Sequence, residues 1–294
     1  MSQAQPNMDL ALTLTNATRA WLSAEPDAAT LAAHVAALEL VWTAQRETHD
    51  AALWSALASA MIRVNDAPDV ARVALQDAAA LLDLNIQLWQ FTHAEAYRAA
   101  ARRWTDLTLA RFDAVRGLFP VNASAKANVF YVDVNARMAE ALYHAWRALD
   151  EPQARSIAGE LLGQVSDAFV ADQGLYQRFE MPDGARSETR HLAAYTNALQ
   201  MFLTAMETTG RGTYLSRAGI LAAFVLAQEW ASAARLDFAE RAQLAIALTR
   251  LFKFTKSSAY ATATRALLSQ TADVPPSVAA AAFALALKSF RAMA

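Results

Sequence analysis

Apolar residues recur along the chain at helical spacing, and they do so in paired segments. From Asn135 to Leu149, Met138, Leu142, Trp146 and Leu149 fall at steps of four, four and three, which is one face of a helix. Asp150-Glu151-Pro152-Gln153 breaks the pattern, and Pro152 suits the first turn of a new helix. Ile157, Leu161, Val165 and Phe169 then restore it. Two helices joined by so short a link run antiparallel and share their apolar faces, so this stretch predicts an αα-hairpin.

The same outline returns along the chain. Leu31, Val35, Leu38 and Trp42 lead through a turn at 46–50 to Trp54, Leu57, Met61 and Val64. Pro68 opens a helix through Val73, Leu81 and Leu84 towards Trp89. Residues 85–93 nearly alternate, so a loop or short extended piece competes there with helix. The stretch 94–112 is helical, and Gly117 reads as a left-handed cap behind it. Residues 121–129 and 179–187 lack periodicity and read as loops. Tyr195, Leu199, Phe202 and Met206 mark a helix stopped at Gly210, and the segment from Tyr214 to Trp230 is apolar nearly all round, the pattern of a helix buried from both sides. Leu244, Leu248 and Leu251, a turn at 256–258, and Leu267 with Leu268 form a further pair, before a last helix from Ser277 to Met293.

Asn135 and Asn197 set two of these hairpins in register. Repetition on this scale predicts an all-α chain of tandem αα-hairpins forming a single domain over 1–294. Hairpins of this kind cannot bury their faces alone; they stack as a solenoid or close into a ring. The segments 113–130 and 172–188 are both long, both hold a Gly-Leu-aromatic step, and both follow the second helix of a hairpin. They would leave the same end of a ring, around the mouth of a central cavity, which favours closure into an (α/α) toroid.

Composition narrows the partners. Lys and Arg number 26 against 28 Asp and Glu, a net charge of −2, and the arginines are scattered, so no nucleic-acid partner is expected. The absence of cysteine removes disulfides, thiol chemistry and cysteine-bound metal. The histidines show no ligand spacing, so neither a metal nor another cofactor is expected. No positive charge or long apolar run marks the amino terminus, and no stretch has the length of a membrane span. A cytoplasmic protein with no membrane partner is the expectation.

Short motifs then carry a resemblance. Asp133-Val134-Asn135-Ala136 and Tyr195-Thr196-Asn197-Ala198, the turn from Thr209 to Leu215, and Gly174-Leu175-Tyr176 resemble motifs of the toroid domain of the spermatogenesis-associated protein 20-like family. More distantly, the chain is similar to the N-acylglucosamine 2-epimerase and six-hairpin glycosidase folds. The likeness covers 98–294 and implies an (α/α) toroid, without implying a settled reaction. A complete six-hairpin ring usually takes more residues than 294, which leaves an incomplete, contracted or partnered ring open. Uncovered terminal hairpin faces would call for a homo-oligomer or a protein partner. The thioredoxin-like part of that family is absent from this sequence.

Candidate chemistry gathers at two helix openings. Tyr131, Asp133 and Asn135 stand at one; Glu188, Arg190, His191 and Tyr195 stand at the matching point one hairpin later. Facing one cavity, they would form a polar, aromatic-rimmed pocket for a small sugar or polyol, with Tyr131 and Tyr176 as stacking surfaces. Trp89 is a further candidate lining residue. Asp133 would act as acid or base, with His191 or Glu188 as proton partner. The simpler reading is that Asp133, Asn135 and Asn197 cap helices. Trp42, Trp54, Trp104 and Trp146 lie on apolar stripes and read as core. The preferred function is a non-catalytic ligand-binding or scaffolding toroid. The alternative is a carbohydrate-active enzyme, a sugar epimerase, isomerase or glycoside hydrolase.

Overall fold

The computed structural model describes residues 51–66, 73–120, 129–170, 174–176, 178–180, 185–187, 191–228, 236 and 238–268, with Val35, Leu38, Glu39, Val41, Trp42, Gln45 and His49. Nine helices run through the described residues: α1 (Ala51–Asn65), α2 (Leu75–Thr92), α3 (Glu95–Leu109), α4 (Val132–Leu149), α5 (Pro152–Asp167), α6 (Leu192–Thr209), α7 (Gly212–Ala227), α8 (Phe238–Thr255) and α9 (Ser258–Leu268). Helices α2 with α3, α4 with α5, α6 with α7 and α8 with α9 pack as hairpins. Helices α2, α4, α6 and α8 also pack on one another in sequence, an inner row with α3, α5, α7 and α9 outside it. The arrangement is an all-α toroid of paired helices.

Side-chain size explains the two layers. Helix α4 buries Ala136, Met138, Ala139, Ala141, Leu142 and Ala145, so alanines on several faces let neighbours approach closely. Helix α7 buries only Ala218, Leu221, Ala222 and Val225 and leaves Ile220 exposed. Its apolar sequence therefore marks an outer helix rich in alanine, not one covered on both sides. The tryptophans follow the stripes: Trp42 and Trp104 are buried, Trp54 and Trp146 pack partly covered against the core.

One end of the toroid is built from a repeated device. His93, Asp150, Gly210 and Lys256 each terminate an inner helix in the left-handed conformation, and His49 adopts it ahead of α1. Each returns its backbone N–H to the carbonyl four residues earlier, on Trp89, Trp146, Met206, Phe252 and Gln45, at 2.7–3.0 Å. After His93, Asp150, Gly210 and Lys256 a second linking residue follows, and the outer helix begins. Residues 85–93 accordingly continue α2 to Thr92 instead of forming a loop, because the chain reverses at His93.

The opposite end carries the long connections, and they hold short strands. Strand β1 (Val129–Tyr131) leads directly into α4; β2 (Phe169–Val170) pairs with β3 (Gly174–Leu175); β4 (Arg178–Glu180) pairs with β5 (Ala185–Ser187) ahead of α6. β1 also pairs antiparallel with β4, Tyr131 opposite Arg178, so the two connections share one sheet of order β1-β4-β5. Three-residue strands are too short to show a period of two in sequence. Gly117 lies within a turn closed by the Asp113–Leu118 bridge, beyond the end of α3, and is not a helix cap. Gly174 belongs to the β2–β3 hairpin, where its φ of +92° suits glycine.

Candidate active site

Inner helices α2, α4 and α6 open side by side beneath that sheet. Gln76 sits in the first turn of α2, Asp133 in the first turn of α4, and His191 immediately before α6. Gln76 Nε2 donates to Asp133 Oδ2 at 3.2 Å, and Asn197 Nδ2 of α6 donates to the Asp133 backbone carbonyl at 3.2 Å. Asp133 is thus held from both flanking helices, with 8% of its surface exposed. Its other carboxylate oxygen, Oδ1, is buried with no hydrogen-bond partner among the described residues.

A buried carboxyl with a bare oxygen resists ionisation. Burial raises the Asp133 pKa above the usual carboxylate value; the Val134 backbone N–H beside the carboxyl, the charge of His191, the Asp133 backbone N–H and the Gln76 amide offset this only in part. Asp77, next to Gln76 in the first turn of α2, is also raised by burial. Two carboxyls with a reduced tendency to ionise therefore stand in the first turns of neighbouring inner helices.

The other sequence candidates separate into groups. His191 is exposed and close enough to Asp133 to lower its pKa, so these two come together. Tyr131, half-buried, ends the strand that enters α4. Asn135 is fully buried and committed to backbone: its Oδ1 accepts from Phe119 N at 2.7 Å, and its Nδ2 donates to the Phe119 and Tyr131 carbonyls at 3.1 and 2.8 Å. The Tyr195 hydroxyl accepts from Leu175 N at 2.6 Å while its ring stacks on Phe224 with centroids 5.4 Å apart. Tyr176 is half-buried beside the β2–β3 hairpin, its N–H donating to the Ala168 carbonyl. Trp89 lies at the far end of α2, roughly 20 Å from Gln76 at 1.5 Å per residue, with the Arg98 guanidinium 5.0 Å from its ring centroid. The structure does not bring Trp89 to Asp133. Glu188 and Arg190 lie outside the described residues.

None of the three polar residues is the cap residue of its helix. Tyr131 is the boundary residue of α4 and His191 that of α6, and neither makes a side-chain cap. Asp133, Asn135 and Asn197 lie inside the helices and bond to neighbouring segments.

A second polar feature escaped the sequence reading. Asp133, Arg137, Glu140 and His144 follow at steps of four, three and four, a continuous polar stripe down α4 opposite the apolar one. Arg137 reaches Glu140 at 3.0 Å, Asp83 of α2 at 3.3 Å and Glu39 at 3.0 Å. Glu140 Oε1 in turn accepts from Thr204 of α6 at 3.0 Å and from Arg250 of α8 at 3.2 Å. Burial opposes the charge on Glu140, but Arg137 and Arg250 outweigh it and hold its pKa at about 2. His144 Nδ1 lies 2.8 Å from Asp83 Oδ1. The network ties four inner helices together below the Asp133 site.

Among the described residues, no group of three or more histidine or acidic side chains could hold a metal ion. No described helix is long and apolar enough to cross a membrane. A hollow of about 440 Å³ lies on the outer helix α3, lined by Glu95, Arg98, Arg102, Arg103 and Asp106, and shares no residue with the Asp133 site.

No protein-family model matches the sequence, and no curated protein does. Solved structures do match the fold. An α-1,6-mannanase from Salegentibacter sp. HEL1_6 is 13% identical with a TM-score of 0.74, over 97% of this chain and 98% of that one. An unsaturated glucuronyl hydrolase specific for heparin is 14% identical with a TM-score of 0.80, over 97% and 95%. A cellobiose 2-epimerase from Spirochaeta thermophila DSM 6192 is 17% identical with a TM-score of 0.60, over 68% and 59%. The chain has the six-hairpin glycosidase-like (α/α) toroid fold. At these identities the likeness shows fold and assigns no family.

Proposed function

We propose that this protein is a carbohydrate-active enzyme that cleaves a glycosidic bond at the open end of the toroid, with Asp133 as the acid. The observation that supports it most is the Asp133 carboxyl itself: buried, raised in pKa, and carrying an unpartnered oxygen at an inner-helix opening. A purely structural carboxylate would have its oxygens paired, as Glu140 does. A scaffold without a ligand leaves that oxygen unexplained.

Glycoside hydrolysis needs two carboxyls in different protonation states. Asp133, whose proton burial helps to retain, donates it to the bridging oxygen as the bond from that oxygen to the anomeric carbon breaks. The leaving sugar departs as an alcohol bearing that proton. Water adds to the anomeric carbon, and its proton passes to a second carboxyl in its ionised form; Asp77, half-buried where Asp133 is buried, is our candidate. Exchange with solvent returns Asp133 to its acid form and removes the proton from the base. Glu188, the partner expected from sequence, is the alternative base. Relatives in fold lend support: variants of the mannanase with two consecutive aspartates replaced are described as inactive. The finer likeness to the spermatogenesis-associated protein 20-like toroids rests on the short motifs alone.

A second reading, sugar epimerisation or isomerisation, draws on the proximity of His191 to Asp133 and on the similarity in fold to the cellobiose 2-epimerase. A thermal-shift screen of sugars and oligosaccharides, followed by product analysis of the ligands that bind, tests both. Hydrolysis gives two shorter sugars; epimerisation gives one isomer of the same mass. If no sugar raises the melting temperature of either wild type or Asp133→Asn, the carbohydrate reading fails.

A further inference from the structure

The bond between Gln76 and Asp133 has a direction. An amide Nε2 can only donate, so Oδ2 of Asp133 is the acceptor in that pair. A proton placed on Oδ2 would meet the amide hydrogens head-on. When the carboxyl is protonated, its proton therefore goes to Oδ1, the oxygen with no hydrogen-bond partner among the described residues.

We propose that Gln76 is the positioning residue of this site: by occupying Oδ2, it assigns the acidic proton of Asp133 to Oδ1 and aims it at an acceptor oxygen of the ligand. The inference rests on the reading of Asp133 as an acid and adds what selects its reactive oxygen. It also narrows the ligand. The group that meets Oδ1 must accept a hydrogen bond, which a bridging ether or a hydroxyl oxygen does and an ammonium group does not. Asn197 plays a complementary part, since its bond to the Asp133 carbonyl fixes the backbone without touching the carboxyl.

The test is an infrared titration of one carboxyl in the full chain. Difference spectra of wild type against Asp133→Asn isolate the Asp133 band, and spectra of Gln76→Leu against Gln76→Leu/Asp133→Asn isolate it without the amide donor. Gln76 is exposed, so leucine there removes no core packing. The expected result has two parts. The carbonyl band of protonated Asp133 moves to higher frequency in Gln76→Leu, because its C=O oxygen has lost a donor. The Asp133 pKa rises by about one unit, because the lost bond also favoured the ionised form. On any sugar that the wild type converts, Gln76→Leu lowers kcat more than it alters KM. An unchanged band and pKa would overturn the assignment. The spectra need no substrate, so a failure of the sugar reading leaves this outcome separately legible.

Discussion

The Arg250 guanidinium lies 3.2 Å from Glu140 Oε1 and joins α8 to α4 across the intervening α6. Thr204 of α6 shares the same carboxylate oxygen, and Glu207 holds Arg250 from its other side at 2.7 Å. This cross-brace ties three inner helices together below the α4 opening that carries Asp133.

Removing the shared carboxylate should be costly. Glu140→Leu leaves Arg137 and Arg250 without their common partner in a buried setting, and an expected loss of about 3–5 kcal/mol follows. Urea denaturation measures it. The double variant Glu140→Leu/Arg250→Met should lose less than the sum of its singles, since each change removes the other's unpaired charge.

Stability should fall on the alkaline side through His144. Burial disfavours its charge, yet the Asp83 carboxylate outweighs burial and raises the pKa above the usual 6.5. A raised histidine contributes fully below its unfolded pKa and loses that contribution as pH rises through the folded value. The gap in stability between wild type and His144→Asn should therefore be widest in mildly acidic solution and close as the pH rises past the folded pKa. Denaturation at a series of pH values checks this.

Gly174→Ala should destabilise the β2–β3 hairpin. An added Cβ would come within 2.2 Å of the Tyr195 hydroxyl and 2.7 Å of Phe224, at a φ of +92° that alanine rarely adopts. A cost of about 1–3 kcal/mol is expected from strain of this kind. Tyr195→Phe leaves the Leu175 N–H without its acceptor, a loss of about 1–3 kcal/mol. Thermal unfolding of both variants reads these effects.

Asp133→Asn should gain stability while losing function. A carboxyl whose folded pKa is raised weakens the folded state as pH climbs above its unfolded pKa. Asparagine carries no such penalty, so the variant should melt higher than wild type near neutrality, with the gain vanishing in acid. Calorimetry at two pH values distinguishes this from a structural role, for which the variant would melt lower.

The hairpins were legible because each depends on residues close in sequence. The apolar stripe from Met138 to Leu149, Pro152 at the start of α5 and the stop at Gly210 are local signals, and the structure places helices there. The candidate site was half legible. Asp133 and His191 stood out at matching helix openings, whereas Gln76 gave no signal, because an isolated glutamine in a first turn has meaning only once α2 lies beside α4. The charge network was hidden for the same reason. Asp83 and Arg250 lie far from Glu140 in sequence, and only the ring brings them to it. Asn135 and Asn197 misled in another way: asparagine near a helix start suggests capping, but both helices begin earlier, at Val132 and Leu192.

The central claim is that Asp133 delivers a proton to a sugar oxygen. Its most direct test is the rate of product release from short glycosides, uronides and manno-oligosaccharides included, by wild type and Asp133→Asn, with His144→Asn as a folded control. Turnover of at least one substrate by wild type and the control is expected, with a loss of about 100-fold or more in Asp133→Asn. Equal rates in wild type and Asp133→Asn, or no turnover by wild type across the panel, would contradict it.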